Sequence, residues 1–274
     1  MKQKNLNKCM IIVMIAVFSF LGIYITNYDS GLTDEVVSEE VLTPEEMPDV
    51  SKGFGTYDNA VDCFLASSVV MDNTVDYERH VDATISAKAA FITVNQKVTN
   101  HVSVDKDGTV YFEEITMAES SYSNSTAVRA IQKNKETIDV EGTNNFDSSG
   151  KAVYTGNYST ITTTEYQNIH GCLPLENIYV ISNKTIKKVN SFEFDGEYYR
   201  FSAELKTIAP KTPYKEKIKR AADASKMVFT SCNVEVVIDK NGLVHTFNIN
   251  ETYSLTVGVT AEVTSTLKIV YNYN

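Results

Sequence analysis

Residues 247–273 read FNINETYSLTVGVTAEVTSTLKIVYNY. Their odd positions run Phe247, Ile249, Glu251, Tyr253, Leu255, Val257, Val259, Ala261, Val263, Ser265, Leu267, Ile269, Tyr271 and Tyr273, while the even ones are almost all Thr, Asn, Ser, Lys or Glu. A period of two sustained this long predicts strands with one buried and one wet face. Gly258 is the natural break into two strands, and a one-residue slip would expose the whole apolar set. A sheet with a wet face is antiparallel, because parallel sheets are covered on both sides.

The same alternation runs through Val81, Ala83, Ile85, Ala87, Ala89 and Phe91. Asp107-Gly108, Asp195-Gly196 and Asn241-Gly242 mark hairpin turns, since these residues tolerate the positive φ of tight turns. Val104-Asp105-Lys106-Asp107-Gly108 recurs as Ile238-Asp239-Lys240-Asn241-Gly242, but the distances to the preceding helices differ. The shared motif reads as turn chemistry used twice, not as a repeat. Two helices are expected. One spans Tyr57 to Met71 with Tyr57, Ala60, Val61, Phe64, Leu65 and Ser68 on one face. The other starts with Thr212 as N-cap and Pro213 in the first turn, and its outer face of Lys215, Lys217, Lys219 and Arg220 reads as solvated. Residues 120–171, rich in Ser, Thr, Asn and Gly, read as strands joined by long loops.

Ahead of this domain, Lys2, Lys4 and Lys8 precede an uncharged apolar run from Cys9 to Ile25. Its length sits between a signal-peptide core and a full membrane span, and the residues after it make a poor cleavage site. It reads as an uncleaved signal anchor, a cleaved signal peptide being the alternative. The lysines keep the N-terminus inside, so the rest lies outside the cytoplasm. No Cys follows the run to carry a lipid anchor. Residues 29–50 hold eight acids, no Lys or Arg, and Pro44 and Pro48, the composition of an extended tether. The expected organisation is a signal anchor at 1–28, an acidic tether at 29–50 and an extracytoplasmic domain at 51–274. The expected class is α+β, mainly β: a curved, half-barrel-like antiparallel sheet with two helices packed on it, after an N-terminal transmembrane helix.

The chain of 274 residues carries a net charge of -10, which argues against nucleic acid as a partner. The residue patterns of hydrolases, P-loop enzymes and dinucleotide-binding enzymes are absent, and Ser148 with Lys151 matches S-x-x-K only inside a Ser-Ser-Gly loop. Asp105, Asp107 and Glu114 match part of a calcium loop, but Ser103 stands where the first Asp is required and the flanks alternate like strands. His80, His101, His170 and His245 lack the helical spacings that gather metal ligands, so no metal or cofactor is expected. Cys63, Cys172 and Cys232 are odd in number; Cys172 with Cys232 is the pair expected if any bridge forms. The four N-x-S/T sequons that begin at Asn124, Asn157, Asn183 and Asn250 would matter only in a eukaryotic secretory pathway.

The Tyr57–Met71 helix leading into strands from about Arg79, the Thr212-Pro213 helix and the Val234–Tyr273 strands together resemble the lipoprotein-carrier (LolA-like) superfamily. The chain also resembles anchored envelope proteins of Gram-positive bacteria that end in a "V-x-I-D-K-x-G" hairpin region. The first resemblance implies a curved sheet wrapped around helices, with an acyl chain held between them. On that reading Tyr253, Leu255, Leu267, Ile269 and Tyr271 form the ligand-binding face of a non-enzymatic, membrane-anchored binding protein. The alternative is an envelope interaction domain with a filled core and a protein partner. An inner cavity above about 300 Å³, the low end of ligand pockets, distinguishes the first from the second.

Overall fold

The computed structural model describes residues 47–274 apart from 91, 119 and 120, so the expected signal anchor and nearly all of the expected acidic tether lie outside the described residues. No helix among the described residues is long and apolar enough to cross a membrane.

Helix α1 (Ala60–Asp72) opens the fold and strands β1 (Tyr77–Ala89), β2 (Ile92–Val104), β3 (Val110–Ala118), β4 (Ser121–Gln132), β5 (Thr137–Thr143) and β6 (Ser159–Thr162) follow. Helix α2 (Thr163–His170) leads to β7 (Ile186–Phe194) and β8 (Tyr198–Leu205). Helix α3 (Thr212–Ala221) then precedes β9 (Lys226–Asp239), β10 (Val244–Val257) and β11 (Val259–Tyr273). All eleven strands form one curved sheet in the order β6-β5-β4-β3-β2-β1-β11-β10-β9-β8-β7. The chain meanders from the centre to one edge, crosses to the other edge through α2 and the segment after it, and meanders back. Every pairing is antiparallel, and β11 closes the circuit by pairing with β1 from Tyr77 opposite Tyr273 to Lys88 opposite Glu262.

The alternation at the C-terminus has the predicted effect. Gly258, at φ 70°, turns the chain so tightly that Val257 pairs with Val259. Odd residues therefore oppose odd residues, as Glu251 does Ser265 and Ile249 does Leu267, and both strands bury the same set. All three Asx-Gly dipeptides form hairpin turns, with Gly108, Gly196 and Gly242 at φ between 82° and 97°. In the two related turns Asp105 N–H donates to Thr109 O and Asp239 N–H to Leu243 O, both at 2.9 Å. The partial calcium loop is thus a hairpin turn.

The helices depart from expectation in three ways. Among the described residues there are three, because Thr162 and Glu165 build a capping box at the start of α2: each side chain accepts from the other's backbone N–H, at 3.1 and 2.8 Å. Helix α1 begins at Ala60, capped by Asn59 accepting from Asp62 N–H, and it buries Cys63 and Ser67 as well as Ala60, Val61 and Leu65. In α3 the N-cap is Lys211, with no side-chain cap bond, and Thr212 is already helical.

All three helices pack on the inner face of the sheet. Phe64 of α1 meets Phe201 and Phe247 edge-on or tilted at about 6 Å, and Ser67 Oγ donates to the Gly242 carbonyl at 2.7 Å. Tyr214 and Ile218 of α3 join the main core with Phe229, Val234 and Ile249. Tyr166 of α2 joins a second cluster with Val102, Phe112 and Ile138. Each aromatic side chain buried this way contributes on the order of 1.5–3 kcal/mol relative to exposure.

Candidate functional site

Register places one row of side chains across the inner face: Phe247, Ile269, Val81, Asn100, Glu114 and Val128, from six successive strands. These six form the floor of a cavity of about 150 Å³, which α2, the segment after it and α3 roof over. The floor changes character along the row. From β10 through β1 it is apolar; at β2 and β3 it becomes polar. The neighbouring row repeats the change, running from Leu267 and Ala83 through Val98 to Thr116.

The roof depends on one glycine. Gly171 caps α2 at φ 85°, with its N–H donating to Gln167 O at 2.7 Å. A Cβ there would lie 2.4 Å from Lys217 Cβ and 2.6 Å from Lys217 Cα, so only glycine lets α2 approach α3 this closely. Arg220 of α3 also donates to the Asn168 carbonyl of α2.

The contact brings Lys217 over the polar half of the floor. Its Nζ lies 3.0 and 3.2 Å from the two oxygens of Glu114, with the lysine side chain 23% exposed and the carboxylate 9%. Burial alone would lower the Lys217 ammonium, but the Glu114 charge beside it carries it above its ordinary value. Lys217 is therefore not part of a solvated outer face. It follows Tyr214 by three residues and adjoins Ile218, both buried, which turns it inward on a helix of 3.6 residues per turn. His170, at the end of α2, is held down to about 4 by burial and then by the Lys217 charge, and so is neutral at pH 7.

Several polar groups on this wall lack partners. Arg79, Asn100 and Thr116 line the cavity, and their atoms Arg79 Nε, Asn100 Oδ1 and Thr116 Oγ1 are shielded from solvent and have no hydrogen-bond partner among the described residues. Arg79 is nevertheless aimed, because its Nη2 donates to the Pro174 carbonyl at 2.6 Å. Asn100 Nδ2 reaches Glu114 at 3.4 Å.

Of the five residues read from the sequence as a binding face, Tyr253, Leu267, Ile269 and Tyr271 line the cavity. Leu255 lies elsewhere in the core, 4% exposed. Deeper on the same face is Glu251, which accepts from the hydroxyls of Tyr179 and Tyr214, the latter at 2.7 Å. Burial raises its carboxyl to about 7, against the downward pull of hydrogen bonds from Tyr179, Tyr214 and Ser265. Sequence reasoning missed Arg79, Asn100, Glu114, Thr116 and Lys217. The one visible signal was Asn100, with Glu114 and Thr116 on the next strand, interrupting inward positions otherwise held by Val98, Val102 and Phe112.

Cys63, Cys172 and Cys232 are free, so no Cys172–Cys232 bridge forms. Cys172 lines the cavity near Lys217, whereas Cys232 is buried on β9, opposite Glu251 and 3.8 Å from the Tyr179 hydroxyl.

The chain matches no protein-family profile and no curated protein. Among solved structures it is similar to the ywiB protein of Bacillus subtilis, at 10% identity and TM-score 0.19 over 72% of this chain and 91% of that one. It is similar to a DUF1329 family protein of Desulfovibrio piger, at 11% identity and TM-score 0.24 over 75% and 88%. A third is a putative outer membrane lipoprotein-sorting protein domain of Vibrio parahaemolyticus, at 9% identity and TM-score 0.25 over 72% and 85%. The last is the kind of protein the sequence resembles; at these scores the likeness is weak and says nothing of function.

Proposed function

We propose that this chain is a non-enzymatic binding protein, held by its N-terminal segment at the outer side of a cell membrane. It would take one small amphipathic ligand between the inner face of the sheet and the roof formed by α2 and α3. The observation that carries this reading is the division of the cavity into an apolar half and a polar half with three unpartnered groups, Arg79 Nε, Asn100 Oδ1 and Thr116 Oγ1. A buried polar atom left without a partner costs about 1–3 kcal/mol. A ligand head offering both an acceptor and a donor would offset that cost.

Volume limits the ligand. About 150 Å³ is the space one benzene-sized molecule fills, and it is below the roughly 300 Å³ of common ligand pockets. A whole diacyl lipid is too large; a short chain or the end of an acyl chain bearing a polar head is of the right size. The same volume favours a second reading, an envelope interaction domain with an essentially filled core.

Native mass spectrometry of the full chain, purified from membranes and then extracted with organic solvent, separates the two. A stoichiometric small amphiphile, lost in Thr116→Val and Arg79→Met variants that remain folded, supports the binding protein. A clean apo mass with no thermal stabilisation by added short-chain amphiphiles sinks it and leaves the interaction domain.

A further inference from the structure

The outer face of the sheet, remote from the cavity in chemistry and in facing, carries a second group of residues. Glu78 and His80 are two apart on β1 and so share a face, and His101 stands directly opposite His80 on β2. The two imidazole rings stack with centroids 4.5 Å apart and planes 12° apart. Glu78 Oε2 lies 3.2 Å from His80 Nε2 and 3.8 Å from His101 Nε2. One donor atom from each residue falls within 4.8 Å of the others. His101 Nε2 is shielded from solvent and makes no hydrogen bond among the described residues.

These distances suit a metal ion. With bonds of about 2.0–2.1 Å in tetrahedral geometry, donor atoms stand roughly 3.3 Å apart. Glu78 and His80 already meet that spacing; His101, 3.8 Å from Glu78 and stacked parallel to His80, must turn its ring for its lone pair to converge on the same ion, and its half-exposed side chain has room to do so. Two neutral imidazoles and one carboxylate are the donors of a borderline divalent cation; calcium and magnesium call for oxygen ligands alone. Glu113, the register partner of His101 on β3, places a further carboxylate in the same row.

We propose that Glu78, His80 and His101 bind one Zn²⁺ ion on the outer face of the sheet, leaving its fourth position to water or to a group from a partner. This site is independent of the cavity, and an empty cavity would not affect it.

Calorimetric titration of the metal-free full chain with ZnCl₂ at pH 7.5 tests the proposal, with His101→Ala and His80→Ala/His101→Ala variants alongside. The expected result is one ion per wild-type chain. Binding in the variants should weaken by at least about a hundredfold, since even outer partners of metal ligands are worth about 10–100-fold. The variants' metal-free melting temperatures should match wild type. Undiminished binding in the double variant would place the ion elsewhere and overturn the assignment, as would the absence of saturable binding in wild type. Should a variant fail to fold, the wild-type imidazole proton resonances decide the matter: those of His80 and His101 must shift on adding Zn²⁺, and unchanged resonances refute the site.

Discussion

Lys217 of α3 and Glu114 of β3, 103 residues apart in the chain, form a buried ion pair at 3.0 Å that holds the roof of the cavity to its floor. Removing one partner from such a pair leaves a charge stranded, at a cost of about 3–5 kcal/mol, whereas replacing both with apolar residues is often neutral. Lys217→Met should therefore lower the urea midpoint strongly, and Glu114→Leu/Lys217→Met should recover most of the loss. Tyrosine fluorescence can follow the unfolding, as the chain has 16 Tyr and no Trp. A loss in the double variant equal to the sum of the Lys217→Met and Glu114→Leu losses would show that the pair is not a coupled unit.

Glu251 gives stability a defined pH dependence. Its carboxyl is raised from 4.5 to about 7 by burial, so between those values the folded protein keeps a proton that the unfolded chain releases. This contribution to stability is fully present below pH 4.5, declines as the pH rises and is gone above about 7. At about 1.36 kcal/mol per pH unit the whole effect is on the order of 3 kcal/mol. Glu251→Gln should remove that slope, gaining on wild type as the pH rises from 4.5 to 8. Parallel stability curves for the two proteins would contradict the assignment.

Gly171→Ala should destabilise through the backbone. The new methyl would sit 2.4 Å from Lys217 Cβ at a positive φ of 85°. Both terms act in the same direction, so a loss above about 1 kcal/mol is expected. Hydrogen exchange should quicken first in α2 and α3, which the contact joins; uniform acceleration across the sheet would point to a different cause.

The thiols should be silent in the native state. Burial raises Cys63 and Cys232 to about 12 and Cys172 in the same direction, which suppresses the thiolate that reacts with electrophiles. Iodoacetamide should leave all three unmodified in native protein at pH 8 and alkylate all three in urea. Fast native labelling of Cys232 would mean that β9 opens far more readily than its packing implies.

Much of the sheet was legible from residue order alone. The alternation from Phe247 to Tyr273, the break at Gly258 and the three Asx-Gly turns depend on side-chain period and local φ, which a strand and a hairpin express without knowledge of anything distant. Helix α2 was less legible, because its eight residues are mostly polar and only the Thr162–Glu165 capping box announces it. Lys217 was misplaced for a tertiary reason: a lysine next to Ile218 reads as surface until its partner Glu114 is known. The Glu78–His80–His101 group escaped because helical spacing was the pattern sought, while strands gather ligands at every second residue and across the register. The sequence by itself determined the strand faces, the turns and the acidic, apolar-led N-terminus. Only the tertiary structure decided which residues meet at the cavity and on the outer face, because those contacts join positions as distant in the chain as Val81 and Ile269, and the register that brings them together is a property of the whole sheet.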